Sequence, residues 1–154
     1  MTKEYLFDVN YGMGLSMSPT IPDGSFIVVE RLSRRWRNWE RGDLVQLRSP
    51  TRCRGETITK RLLALEGDVV ELQPRFDEKR KKKITVPKGH VWVEGDNSTC
   101  SVDSRHFGAV PMALLIGRAC WIMQGETRLP SDAPRELQLH TRHSRIPARS
   151  VLRH

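Results

Sequence analysis

No stretch of this 154-residue sequence stays apolar long enough to cross a bilayer. The longest runs, Phe26-Ile27-Val28-Val29 and Met112-Ala113-Leu114-Leu115-Ile116, fall far short of the roughly 20 residues a spanning helix needs. No cleavable leader pattern stands at the N-terminus, so the expectation is a soluble or membrane-peripheral protein. Cysteine is scarce too: Cys53, Cys100 and Cys120 are odd in number, scattered and without a C-x-x-C pair. They point to neither a disulfide framework nor a zinc site, and no metal or other cofactor is expected. Acidic residues are the minority sign, 18 Asp and Glu against 26 Lys and Arg, for a formal net charge of +8. Such an imbalance suggests an anionic partner. No recognised nucleic-acid-binding motif accompanies the charge, so a phospholipid surface ranks ahead of nucleic acid.

What the sequence does contain is a series of short apolar and β-branched runs between Gly, Pro and Asp turns, the pattern of a mainly β domain. Strands are expected at Tyr5 to Val9, Ser25 to Glu30, Leu44 to Leu47, Thr57 to Leu65, Val69 to Leu72, Ile84 to Val86, Val91 to Glu94 and Arg118 to Met123. Pro111 to Ile116 reads as one helical turn, and residues 95–108 as a polar loop. Residues 31–41 form a basic segment carrying Trp36 and Trp39. It reads as a solvated loop whose tryptophans cap the core edge, with a membrane-surface patch as the sharper alternative, since Trp and Arg both suit the lipid interface. The run 75–83 is almost all charge, as in a solvated hairpin tip or insertion. From about Thr127 the chain is dominated by Arg, His, Pro and Ser, too polar to order itself. The expected division is therefore a folded unit over 1–126 and a basic, flexible tail over 127–154.

Within that frame, one heptapeptide stands out: Gly14-Leu15-Ser16-Met17-Ser18-Pro19-Thr20. The proline stops a helix from forming across it, and an extended, tight segment would hold out the Ser16 hydroxyl. Serine is a poor nucleophile until a nearby base takes its proton. The candidate base is Lys60. Alternation along the strand places Ile58, Lys60, Leu62 and Ala64 on one face, with Thr57, Thr59, Arg61 and Leu63 on the other. A lysine on an apolar face either snorkels to water or is desolvated, and burial can lower a lysine pKa by about 3–5 units. Arg61 is expected to point away and stay at the surface. His90 and His106 are rival bases, the latter near Asp96 and Asp103, but neither lies in an apolar frame.

These residues carry a recognisable pattern. The chain resembles the type I signal peptidase family of Ser/Lys proteases, and more narrowly its mitochondrial inner membrane protease branch. The heptapeptide looks like the family's nucleophile box, Arg41-Gly42-Asp43-Leu44-Val45 like the next, residues 60–68 like the lysine box and residues 95–108 like the last. The phrase from Val86 to Asn97 points to the mitochondrial branch, and Glu4-Tyr5-Leu6-Phe7 with Pro111-Met112-Ala113-Leu114 to its first catalytic subunit. The resemblance implies a core of two small antiparallel β-sheet domains and an acyl-enzyme on Ser16, with Lys60 as general base. It further implies that Ser101 orients the lysine, that Asp103 and Arg105 form a structural ion pair, and that the Ser16 N–H serves the oxyanion. Where some bacterial members carry a hydroxyl two residues before the nucleophile, this chain has Gly14, which leaves the second oxyanion donor unassigned. Implied partners are precursors with cleavable presequences, the membrane surface and a second protease subunit in a heterodimer, with no nucleic acid. The implied place is the intermembrane-space side of the mitochondrial inner membrane. Family members have a spanning helix before the first box, whereas 13 residues precede it here. The expectation is a truncated chain or anchoring by a partner.

Two other readings compete. A self-cleaving repressor protease shares a Ser-Met and a later Lys-Arg, but lacks the Gly-Asp-Asn…Asp-Ser-Arg box. A non-catalytic, basic binding subunit with the same fold would have no use for a lysine on an apolar strand face.

Overall fold

The β-branched runs become antiparallel strands throughout the computed structural model, which describes residues 6–51, 56–72, 82–124 and 143–145. In chain order these are β1 (Phe7–Gly12), β2 (Ser25–Glu30), the helix α1 (Leu32–Trp36), β3 (Leu44–Arg48), β4 (Thr57–Ala64), β5 (Val69–Leu72), β6 (Lys82–Thr85) and β7 (His90–Glu94). There follow α2 (Ser104–Phe107), β8 (Val110–Pro111), a 3₁₀ turn at Met112–Leu114, β9 (Leu115–Gln124) and β10 (His143–Arg145). The strands fall into an eight-stranded sheet, ordered β1-β2-β9-β3-β4-β7-β8 with β10 also on β9, and a two-stranded ribbon of β5 and β6. The mainly β, antiparallel expectation holds.

β9 is the hinge of this arrangement. Its length lets the half from Arg118 onward pair with β2 while Leu115 to Arg118 pair with β3, so it joins the nucleophile side of the sheet to the lysine side. Val45, Leu47, Leu62, Val91, Val93 and Leu115 close one core cluster beneath β3, β4 and β7. Met17, Ile21, Ile27, Val29, Leu44 and Ile122 close a second, beneath β2 and β9. Trp92, Val86 and Ala64 form a third, against the ribbon. Each fully buried aliphatic side chain stabilises these clusters by roughly 1.5–3 kcal/mol.

Local details depart from the sequence reading. Residues 32–36 are helical, not loop, because the Glu30 carboxylate accepts from both the Ser33 N–H and the Ser33 hydroxyl and so caps the first turn. Trp39 is buried and caps the core as expected, whereas Trp36 is 65% exposed. The expected polar loop 95–108 ends in α2, which Asp103 opens with a capping box: its side chain accepts from the Arg105 N–H, and the His106 ring accepts from the Asp103 N–H. The expected β1 runs on to Gly12, directly into the serine box, and Leu115 belongs to β9 rather than the helical turn. Cys53, most of the charged run 75–83 and most of the tail lie outside the described residues; Lys82 and Lys83 open β6, and His143–Arg145 pair with β9.

Candidate active site

Ser16 is presented by a turn rather than by extended chain. The Ser18 N–H bonds to the Leu15 carbonyl at 3.1 Å and the Ile21 N–H to the Met17 carbonyl at 2.8 Å, coiling 15–21 into consecutive turns. Gly14 enters them with φ +105°, a conformation L side chains rarely adopt, and its N–H is held by the Asp23 carboxylate at 2.7 Å. The sequence reading treated the proline as evidence for extension; local hydrogen bonds satisfied within the loop won instead. Met17 and Ile21, both buried in the second core cluster, pin the loop from below.

Lys60 of β4 is buried, 3% exposed, between Ile58 and Leu62 and opposite Val45 of β3. Its Nζ donates to the Ser101 Oγ at 3.0 Å. The Ser101 hydroxyl in turn donates to Asp103 Oδ2 at 2.6 Å. That single hydroxyl proton is thus committed to the carboxylate, and Ser101 offers Lys60 a lone pair only. Since the bond asks the lysine for one N–H, which the neutral amine also has, it can hold Lys60 in either charge state.

Asp103 has no exposed side-chain surface. Burial pushes its carboxyl up, but the Arg105 fork, the Ser101 hydroxyl and the Gly95 N–H outweigh it and hold it at about 2. Arg105 binds both oxygens, Nε to Oδ1 at 2.9 Å and Nη2 to Oδ2 at 2.5 Å, and the Gly95 N–H reaches Oδ2 at 2.9 Å. A carboxyl depressed in the folded state adds stability above the ordinary aspartate range, and that contribution is lost only as pH falls through about 2. The brace therefore stays charged at any physiological pH.

The sequence reading gave no joining role to the residues that hold the two halves together. The Asn97 N–H donates to the Ser16 carbonyl at 3.0 Å, and the Thr20 hydroxyl donates to Asp96 Oδ2 at 2.5 Å. Asp96 is gripped on both oxygens by Arg61, at 2.8 and 2.6 Å, while Arg61 also donates to the Gly42 carbonyl at 2.9 Å. Arg61 is therefore not a surface residue: it is 8% exposed and clamps the nucleophile loop to β4 through Asp96. Alternation failed here because Asp96 and the Gly42 carbonyl cover Arg61 on a face where Thr57 and Leu63 are exposed, so Lys60, Arg61 and Leu62 are all buried in sequence. Gly95 fills the remaining gap. A Cβ there would lie 2.2 Å from Ser101 Oγ and 2.5 Å from the Ser16 carbonyl oxygen, so only glycine lets the last box pass between them. The signal was the Gly95-Asp96-Asn97 triplet, which the box contained but to which no role had been given.

Ser16 and Lys60 line one cleft of about 210 Å³, with Ile27, Gln46, Thr59 and Phe107 among its walls. The rival histidines do not line it. His90 bonds through Nδ1 to the Lys88 carbonyl at 2.9 Å, and His106 serves the α2 cap. No group of three or more His, Cys, Asp or Glu able to hold a metal ion occurs among the described residues. No helix among them is long and apolar enough to cross a membrane.

Comparison with known proteins matches residues 1–75 and 73–124 to the family described as signal peptidase, peptidase S26. The chain is 42% identical over 125 residues to mitochondrial ATP-independent inner membrane protease subunit 1b of Arabidopsis thaliana, covering 79% of this chain and 72% of that protein. It is 40% identical over 131 residues to mitochondrial inner membrane protease subunit 2 of Mus musculus, covering 80% and 72%. A crystal structure of a signal peptidase I from Enterococcus faecalis V583 is similar with 26% identity and a TM-score of 0.44, over 53% of this chain and 96% of that one.

Proposed function

We infer the reaction from one premise: this chain belongs to the signal peptidase family, peptidase S26. It is a serine endopeptidase, and its relatives are mitochondrial inner membrane proteases. The mechanism proposed is a Ser16–Lys60 dyad within a catalytic unit over 1–126. The observation that carries it is a buried lysine, held by a hydroxyl, in the same cleft as the box serine. Neutral Lys60 takes the Ser16 proton as Oγ bonds to the scissile carbonyl carbon. The proton then passes to the departing amine as the C–N bond breaks, leaving an ester on Ser16. Water attacks that ester, again losing a proton to Lys60, and the acid leaves as Oγ is reprotonated. The Ser16 N–H is the proposed donor to the oxyanion. Ser101 orients Lys60, and the Asp103–Arg105 pair braces the box.

Capture of the ester tests this. A β-lactam acylating reagent should open on Ser16 and add its whole mass once per chain, because ring opening releases no leaving group. Labelling mapped to another residue, or undiminished in Ser16→Ala, would remove Ser16 as the nucleophile and favour the binding-subunit reading.

The proposed substrates are precursors bearing cleavable sorting peptides, cut on the intermembrane-space face of the mitochondrial inner membrane alongside a second protease subunit. Supporting a membrane partner, Phe7, Val9 and Tyr11 of β1 are exposed on the sheet face they share with Phe26 of β2. Trp36 joins this face through a groove shared with Phe7 and Trp121, beside the exposed Arg34, Arg35 and Arg37. The patch is thus a sheet face plus one helix, not the segment 31–41 alone, since Trp39 is core. Binding to vesicles of anionic phospholipid should weaken several-fold with added salt and with Val9→Ser plus Trp36→Ala. Binding unchanged by both would sink the idea.

A further inference from the structure

Resting on the Ser16–Lys60 reading, we propose that Arg105 is a positioning residue for charge: by neutralising Asp103, it keeps a buried carboxylate from holding Lys60 as the ammonium. Asp103 stands one hydroxyl from the lysine, through contacts of 3.0 Å and 2.6 Å by way of Ser101. Its side chain is fully buried, so bulk solvent screens it little. A negative charge so placed favours the protonated lysine, which is the wrong form for a base. The bidentate guanidinium sets a positive charge against both carboxylate oxygens, including the Oδ2 that accepts from Ser101. A brace needs only N–H donors, which a neutral amide also supplies; offsetting the carboxylate requires a cation.

The other charges around Lys60 do not substitute for it. Arg61, its neighbour on β4, is matched by Asp96. Glu94 of β7 lies 3.6 Å from Arg105 and joins Asp103 in favouring the ammonium once the cation is gone. His106 of α2 sits 3.8 Å from the other Asp103 oxygen, its side chain 45% exposed. β3 faces Lys60 with Val45, while the cleft wall contributes Glu56 and Tyr11. In the serine loop, Asp23 is engaged with the Gly14 N–H.

The test is the pH dependence of Ser16 acylation by the β-lactam, with thermal unfolding run alongside. In Arg105→Gln the acid limb should move up by about 1–2 pH units, the shift expected when a nearby carboxylate loses its counter-charge. On that limb the rate falls about 10–100-fold, while the high-pH plateau stays within a few-fold of wild type. Arg105→Lys, which keeps the charge, should leave the limb near its wild-type position. Asp103→Asn, which removes the buried carboxylate and leaves the cation only the longer contact to Glu94, should move it down. A lowered plateau with an unmoved limb in Arg105→Gln would make Arg105 a brace only and overturn the proposal. If that variant does not fold, an unmoved or raised limb in Asp103→Asn overturns it equally. Full acylation of Ser16 in Lys60→Met would instead bring down the dyad itself, an outcome separate from either of these.

Discussion

Ser16→Ala is expected to lower peptide cleavage by roughly four to six orders of magnitude while leaving the fold in place. The loss is that large because a positioned base has nothing to act on once the hydroxyl is gone, so the remaining groups cannot work in its absence. The fold survives because the loop is held by neighbours of Ser16, not by its hydroxyl. Met17 and Ile21 anchor it in the core, and the Ser16 carbonyl keeps its bond from the Asn97 N–H whatever side chain the residue bears. Removing one oxygen from a half-buried turn should change stability by no more than about 0.5–1 kcal/mol. Purified Ser16→Ala with an unchanged melting temperature and substantial cleavage would show that the nucleophile lies elsewhere.

The contrast between Ser16 and Arg61 shows how much of the site could be read from the sequence. Residue types that the reaction demands are visible as anomalies: a serine in a Gly-x-Ser-Met-x-Pro box, and a lysine on an apolar strand face. Strand periodicity placed Lys60 on an apolar face, and its burial agrees with that placement. The same periodicity misplaced Arg61, because Asp96 covers it on a face that is solvated at Thr57 and Leu63. The loop to which Arg61 is tied arrives from 35 residues away in sequence, through Asp96, and no local pattern announces such a contact. Helices α1 and α2 were missed for a different reason. Both are too short to show a 3.6-residue repeat, although the side chains that hold their first turns, Glu30 and Asp103, bond to residues only two or three positions away. Gly95 is legible only afterwards, as the point where the Ser16 carbonyl and the Ser101 side chain leave no room for a Cβ.

Lys60→Arg is expected to be as inactive as Lys60→Met, by roughly four orders of magnitude or more, although it preserves positive charge. The reason is the proton inventory. A desolvated lysine can lose its proton in the working range, and its hydrogen bond to Ser101 survives that loss. A guanidinium cannot be deprotonated there, so an arginine at this position supplies charge but never a base. If Lys60 served only as an electrostatic anchor for the loop, arginine would keep much of the activity and Lys60→Met would lose it. Lys60→Met, similar in length and neutral, also controls for packing in a site only 3% exposed. Ser101→Ala should cost less than either lysine change, since it removes an orienting contact and leaves the amine in place. In the wild type, cleavage should rise with pH through the lysine's titration, because the neutral form does the work. The pH–rate profiles of wild type and Lys60→Arg decide the matter: normal turnover by a folded arginine variant would exclude Lys60 as the base and return attention to His90 and His106.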